Sequence, residues 1–257
     1  MTVSVLQFDL QNTPPEARVR WVDLAREREP VSAAATTLHV GLDAAGQLPR
    51  VALQHFDVLL TTAVDAPRPW ITLPAGEFTP ACKRLGTAVG TYGLTAAVLA
   101  QVLRAGTSLS FDDALTIESI AFSMLLGGAA FRRWLAAQHA SILNRRRHRP
   151  RDDAMRVRGA RNGAQLMLWL SRPECRNAVD ARLRDQLCEW LANVCDDPTI
   201  ESVIVRGEGA DFCSGGDLSE FGNSEDVVFA HAVRTLRSPA LLLHRLGPRA
   251  TVYLHGN

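Results

Sequence analysis

The stretch Asp211-Phe-Cys-Ser-Gly-Gly-Asp-Leu-Ser-Glu-Phe221 decides the fold, because it follows an apolar strand and precedes a segment with helical spacing. Its adjacent glycines and small polar residues predict a turn in which backbone N–H groups can approach a ligand closely. A second turn, Ser171-Arg-Pro-Glu-Cys-Arg-Asn-Ala-Val-Asp180, lies upstream, and the chain stops at Val252-Tyr-Leu-His-Gly-Asn257. Each of these segments lies close behind a predicted strand or overlaps the end of one.

Apolar patterning on either side of the turns predicts alternating strands and helices. Apolar runs of strand length occur at 164–170, 200–205 and 250–254. Between the first two strands, apolar residues recur at helical spacing over 180–194, which predicts an amphipathic helix with Asp180 as its N-cap. A mainly helical stretch, 225–246, precedes the third strand. Strand, helix, strand, helix, strand is typical of βαβ units, so the predicted fold class is α/β.

The first part of the chain, 1–150, is predicted to be a separate, helix-rich domain. Within it, 51–64 contains an apolar run typical of a strand, and about 80–140 has helical spacing. The segment Asn144-Arg-Arg-Arg-His-Arg-Pro-Arg-Asp-Asp153 is dense in charge and has no apolar anchor. It is either a solvated linker or a site for an anionic ligand such as a nucleotide phosphate. We place the domain boundary there, so the second domain covers 160–257.

Composition narrows the classes of function. The chain has 257 residues, of which 47% are hydrophobic and 21% charged, and its net charge is +1. This balance gives no reason to expect nucleic acid or an anionic membrane as a partner. The N-terminus lacks the pattern of a signal peptide, and no segment approaches the ~20 apolar residues that span a bilayer, so we expect a cytoplasmic protein. The five cysteines have no metal-ligand spacing and predict free thiols, with no metal site.

Three motifs carry a family resemblance. Phe212-Cys-Ser-Gly-Gly-Asp217 resembles the first signature of the crotonase family (enoyl-CoA hydratase/isomerase). Arg176-Asn-Ala-Val179 is similar to the family's other stretch that contacts coenzyme A, and His255-Gly256 is similar to the entry to its second signature. The resemblance covers about 160–257, and the catalytic half of the family would follow Asn257. It implies an α/β chain with a partial crotonase-like ββα-spiral segment preceded by a helix-rich domain.

The resemblance implies roles for the residues of the first signature. In the family, the oxygen of a coenzyme A thioester accepts two backbone N–H bonds, which stabilise the charge that develops on it. The N–H of Gly216 matches one of these oxyanion donors. The carbonyl of Cys213 matches the position that accepts a hydrogen bond from the adenine. Gly215 and Asp217 complete the predicted coenzyme A-binding turn.

The resemblance also implies roles for the upstream turn. The backbone at Ala178 matches the position that lines the pantetheine, and Arg172 and Arg176 are candidates for contact with the phosphates. Glu220 either approaches the substrate or is a solvated loop carboxylate. His231 and His244 are predicted to be structural or exposed.

The implied function is acyl-CoA binding and thioester-enolate chemistry of the enoyl-CoA hydratase/isomerase type, as in fatty acid metabolism. No metal or organic cofactor is expected beyond the coenzyme A of the substrate, and relatives are trimer-based homo-oligomers. Two alternatives stay open. The chain is a catalytically inactive fragment or pseudoenzyme that binds coenzyme A or a partner subunit, or a crotonase-fold dioxygenase or hydrolase that acts on an aryl-CoA. Because 111–135 is loosely similar to the helical C-terminal region of the family, 1–150 could also hold a degenerate crotonase-like region.

Overall fold

The computed structural model describes residues 18–28, 36–147, 155–223 and 226–256. The chain divides into two compact units, Met1–Ser110 and Phe111–Asn257. This division lies upstream of the boundary that we predicted near residue 150. The difference arises because two helices that we assigned to the first domain pack against elements of the second unit. The charge-dense segment 144–153 begins within the second of these helices, and its residues from 148 onward lie outside the described residues.

The first unit contains a four-stranded parallel sheet followed by one long helix. The strands are β1 (Val19–Asp23), β2 (Leu38–Asp43), β3 (Val58–Thr61) and β4 (Trp70–Thr72), and they pair in chain order. Helix α1 (Ala75–Gly106) follows. The predicted strand within 51–64 is confirmed as β3. The prediction of a helix-rich region over 1–150 did not include the other three strands, which are too short for alternation to be read from the sequence.

Helix α1 has 32 residues and is long and apolar enough to cross a membrane, by length and composition alone. The bent pair Phe111–Leu126 and Ala129–Gln138 meets the same requirement if it is counted as one span. The prediction that no segment approaches this length is therefore wrong. Phe78, Val89 and Ala100 of α1 are buried in one cluster with the strands of the first unit. Only 22% of the apolar window of this helix is buried, whereas the core helix of a globular domain is mostly buried.

The second unit begins with α2 (Phe111–Leu126) and α3 (Ala129–Arg147), which precede a second four-stranded sheet. Its strands pair in chain order and are β5 (Val157–Asn162), β6 (Gln165–Leu170), β7 (Ser202–Gly207) and β8 (Ala250–Val252). Strand β5 is antiparallel to β6, and the other pairs are parallel. Helix α4 (Ala181–Asp196) connects β6 to β7, and α5 (Val227–Leu236) and α6 (Pro239–Leu246) lie between β7 and β8. The predicted α/β class and the order of the elements in this unit are confirmed.

The core of the second unit lies between its sheet and α4. Leu168 and Val203 of the sheet and Leu183, Leu191 and Val194 of the helix are all fully buried. The carboxylate of Asp180 accepts a hydrogen bond from the N–H of Leu183 at 2.8 Å, so the predicted N-cap is confirmed. Both candidate turns leave the carboxyl ends of parallel strands and therefore lie at the same edge of this sheet.

Candidate functional site

The two turns run side by side and are joined by backbone hydrogen bonds. The N–H of Val179 donates to the carbonyl of Gly215 at 2.8 Å, and the N–H of Asp217 donates to the carbonyl of Val179 at 2.9 Å. Next to them, the N–H of Ser214 donates to the carbonyl of Arg176 at 2.9 Å. The sequence-predicted turns therefore form a single two-stranded rim at the edge of the sheet.

Asn177 fastens the first turn to the second. Its side chain is fully buried, its Oδ1 accepts the N–H of Arg172 at 2.8 Å, and its Nδ2 donates to the carbonyls of Glu208 and Asp211, each at 2.8 Å. Its φ of 52° lies in the left-handed region, which asparagine tolerates better than most residues. Asn177 thus holds the geometry of the rim, and its polar groups are used within the protein.

Arg172 lies inside the rim and does not face solvent. Its side chain is fully buried, and its guanidinium donates to the carbonyl of Ala178 and to Oδ2 of Asp217, the latter at 3.1 Å. It also lies 3.4 Å from Oδ2 of Asp180. These partners offset the desolvation of the buried guanidinium, so they count against the contact of Arg172 with phosphates, which stays a prediction. Arg176 is exposed on the outside of the same turn, so it stays the candidate for phosphate contact.

Gly216 presents an unused backbone donor. The N–H groups on either side of the turn are occupied: that of Ser214 donates to Arg176, and that of Asp217 donates to Val179. Among the hydrogen bonds of the described residues, none uses the N–H of Gly216. The preceding Gly215 has a φ of +93°, a conformation that favours glycine and that turns the chain at this point. The predicted oxyanion donor is thus exposed and available to a ligand.

The carboxylate of Asp217 is directed into the protein. Its Oδ1 accepts the N–H of Ser219 at 2.9 Å, and its Oδ2 accepts from Arg172. Although burial acts to raise it, these hydrogen bonds and the nearby guanidinium hold the pKa of Asp217 below its ordinary value. Its predicted role in binding coenzyme A is therefore limited to its backbone, because its side chain stabilises the turn.

Two cavities meet at this rim. The first has a volume of about 370 Å³ and is lined mostly by polar and small residues, among them Arg172, Arg176, Ala178, Ser214 and Gly216. The second has a volume of about 330 Å³, and both cavities are lined by Gly216 and Asp217. The structure therefore brings Gly216, Arg176 and Ala178 together around one space. Cys213 and Gly215 line neither cavity. The carbonyl of Cys213 accepts no hydrogen bond from the described residues, so it stays available as an acceptor.

The walls of the second cavity are largely apolar, and several come from helices that precede the sheet. Phe122 and Leu126 of α2, Phe131 of α3 and Phe221 of the rim line it. The rings of Phe131 and Phe221 are 6.5 Å apart, a typical separation for an aromatic pair. Sequence reasoning did not place these helices at the site. The sequence did contain one indication of this placement, the loose similarity of 111–135 to the helical C-terminal region of the crotonase family. We assigned that segment to the first domain.

The other titratable candidates have structural partners. Glu220 lines the second cavity, and its Oε2 accepts the N–H of Ala181 at 3.0 Å, which places it at the N-terminus of α4. His231 lies 2.9 Å from the hydroxyl of Ser119, and the ring of His244 stacks on Phe111 at 3.9 Å, so the two histidines are structural. Within the described ranges, no group of three or more His, Cys, Asp or Glu side chains could hold a metal ion.

The chain is similar to known proteins over this site. A family model described as enoyl-CoA hydratase/isomerase matches residues 161–241. The chain is 38% identical over 55 residues to 1,2-epoxyphenylacetyl-CoA isomerase of Escherichia coli (strain K12), an alignment that covers 21% of each protein. It is 36% identical over 56 residues to a probable enoyl-CoA hydratase of Mycobacterium bovis, which covers 22% of this chain and 23% of that protein.

Solved structures give a partial likeness as well. An enoyl-CoA hydratase/isomerase from Mycobacterium paratuberculosis aligns with a TM-score of 0.35 and 25% identity, over 40% of this chain and 42% of that chain. An enoyl-CoA hydratase from Polaromonas sp. JS666 aligns with a TM-score of 0.35 and 28% identity, over 39% and 40%. The matched part of the chain spans between a fifth and a quarter of the length of the isomerase of Escherichia coli and the probable hydratase of Mycobacterium bovis.

Proposed function

Because residues 161–241 match the enoyl-CoA hydratase/isomerase (crotonase) family model, we propose that the second unit binds an acyl-CoA thioester across its two cavities. The coenzyme A portion occupies the first, polar cavity, and the acyl group occupies the second, apolar one. The thioester lies between them at Gly216, which lines both. The reaction class that follows from the family is hydration or isomerisation of an enoyl-CoA.

The unused N–H of Gly216 is the observation that carries this proposal. When a thioester is converted to an enolate, negative charge develops on its oxygen, and a fixed N–H stabilises that charge without having to reorient. The rim holds this donor in place because both of its neighbours along the turn are hydrogen-bonded to the upstream turn. Loss of one such donor typically costs ~3 kcal/mol of transition-state stabilisation.

The coenzyme A portion has matching groups on the first cavity. Arg176 is exposed there and can approach a phosphate, while the backbone at Ala178 lines the same space and can follow the pantetheine. No hydrogen bond of the described residues uses the carbonyl of Cys213, so this carbonyl can accept a hydrogen bond from the adenine. Arginine is suited to phosphate because its guanidinium presents several N–H donors in a fixed plane.

One observation favours binding without turnover as a second candidate function. Three carboxylates line the acyl cavity, and each already has a structural partner. Those of Asp180 and Asp217 are paired with Arg172, and that of Glu220 accepts the N–H of Ala181. A general base must reach the proton that it removes, and a carboxylate held in an ion pair is a weaker base. This arrangement favours the pseudoenzyme alternative for the described part of the chain.

The test compares two substitutions at one position. Gly216→Pro removes the N–H, whereas Gly216→Ala keeps it, and an alanine Cβ would lie 3.5 Å from the ring of Phe221, an ordinary contact. With crotonyl-CoA labelled at the thioester carbonyl, infrared difference spectra should show a lowered carbonyl frequency in the unaltered chain and in Gly216→Ala. Gly216→Pro should lose this shift. Folding of each variant is checked by circular dichroism.

The outcomes separate the two candidate functions. Loss of the enoyl absorbance of crotonyl-CoA together with the carbonyl shift supports an enzyme of the hydratase type. The same shift without any change in the enoyl group supports a binding protein. An unshifted carbonyl in the unaltered chain, or an equal shift in a folded Gly216→Pro variant, would show that Gly216 is not the oxyanion donor.

A further inference from the structure

Helix α5 places an arginine in the wall of the acyl cavity. Arg234 lines this cavity and is half-buried. Its Nε donates to the hydroxyl of Ser119 at 3.1 Å, and its Nη2 donates to the carbonyl of Ser119 and to the hydroxyl of Ser123. Its guanidinium carbon lies 4.7 Å from the centre of the Phe122 ring. Since both serines are buried on α2, the guanidinium is held in a fixed orientation between the two helices.

The groups that hold Arg234 do not neutralise its charge. Two hydroxyls, a carbonyl and an aromatic face orient the guanidinium, but all of them are uncharged. In the part of the chain that the structure describes, no carboxylate lies within 4.0 Å of Arg234, and its Nη1 makes no hydrogen bond. Desolvation by burial lowers the pKa of this guanidinium. Charges that are withdrawn from water are usually paired, so the site lacks a counter-charge.

The other charged side chains around the cavity have partners. Asp180 and Asp217 are paired with Arg172, and Glu220 accepts the N–H of Ala181. Arg184, which also lines the cavity, is paired with Asp185 at 2.8 Å. Arg234 therefore differs from its charged neighbours in facing an apolar space of about 330 Å³ without an ion-pair partner among the described residues.

We propose that Arg234 determines substrate specificity by binding an anionic oxygen on the acyl group, so that the substrate class is the coenzyme A thioester of a dicarboxylic acid. This inference rests on the proposed acyl-CoA binding and narrows it. A carboxylate supplies the missing counter-charge, and Nη1 supplies a charge-assisted hydrogen bond to it. The aromatic and aliphatic walls from Phe122, Leu126 and Phe131 cover the methylene groups between the thioester and that carboxylate.

The experiment measures the affinities of two thioesters of the same shape. Glutaryl-CoA ends in a carboxylate, and 5-methylhexanoyl-CoA ends in an isopropyl group that has nearly the same size. Isothermal titration of the full chain should show that glutaryl-CoA binds about ten- to a hundredfold more tightly. The preference should be lost in Arg234→Leu and retained in part in Arg234→Lys, which keeps the charge but loses the planar donor geometry.

The control variant is Arg237→Gln, at the C-cap directly after the same helix and exposed, and it should keep the preference. Circular dichroism shows whether the Arg234 variants fold. The comparison of the two thioesters in the unaltered chain tests the inference even if the variants do not fold. Binding of both thioesters without a preference overturns this inference and leaves the proposed function intact, as does an unchanged preference in Arg234→Leu. Failure of both thioesters to bind the unaltered chain overturns the proposed function, and this inference with it.

Discussion

Replacing Arg172 by alanine is expected to destabilise the second unit by ~3 kcal/mol or more. The side chains of Arg172 and Asp180 are fully buried, and that of Asp217 is only 12% exposed. Removing the guanidinium leaves two carboxylates with little water around them. Loss of one partner of a buried pair typically costs ~3–5 kcal/mol. We expect the lower end of that range, because Asp180 keeps a second arginine, Arg156, at 3.7 Å.

The matched control is Arg176→Ala, which removes the same type of side chain from the same turn. Because Arg176 is exposed, this variant should change the free energy of unfolding by no more than ~0.5 kcal/mol. The chain has two compact units, so a single global transition is not assumed. Hydrogen exchange of the β6 and β7 amides, followed by mass spectrometry, reports the opening of the second unit alone. Equal exchange rates in the two variants would refute the structural role that we assign to Arg172.

Two further predictions concern the same rim. Arg176→Ala should weaken the binding of acetyl-CoA and flatten its dependence on salt, because exposed charge contacts are screened by ions; unchanged calorimetric affinity at low salt would count against a phosphate contact. Asp217→Asn should lower the free energy of unfolding of the second unit near neutral pH. The difference from the unaltered chain should disappear in acid. The folded-state pKa of Asp217 is lowered, so its contribution is complete above the ordinary carboxyl pKa and is lost as the pH falls through the lowered value. Urea unfolding across this pH range measures this difference in stability. A difference that persists in acid would contradict the stabilising role of the Asp217 carboxylate.

The sequence predicted the second unit better than the first, and the reason lies in the strands. Strand β6 is a continuous apolar run, and α4 has strong helical spacing, so both could be read locally. Strand β5 was missed because most of its residues are exposed, Arg158 and Arg161 among them. The strands of the first unit have only three to six residues, too few for a period to emerge.

For the candidate site, the turns were predictable and the partners were not. The glycine pair at 215–216 and the turn at Asn177 carry local signals of backbone geometry. By contrast, Arg172 looks like a surface charge in the sequence, and its partner Asp217 lies 45 residues away. The placement of Arg234 beside Ser119 depends on a contact across 115 residues. Such pairings are set by the tertiary fold, and a single sequence does not display them.

The aromatic wall of the acyl cavity has a consequence for how this protein can be divided into modules. The family match begins at residue 161, but Phe122, Leu126 and Phe131 lie upstream of it. A recombinant fragment cut to the boundaries of the match would keep Gly216, the proposed oxyanion donor, and lose one side of the cavity proposed for the acyl group. If the proposed function holds, substitutions in α2 and α3 change which acyl groups fit while leaving the proposed coenzyme A-binding turn untouched. Selection could then act on the two proposed roles, recognition of the acyl group and polarisation of the thioester, through separate stretches of the gene.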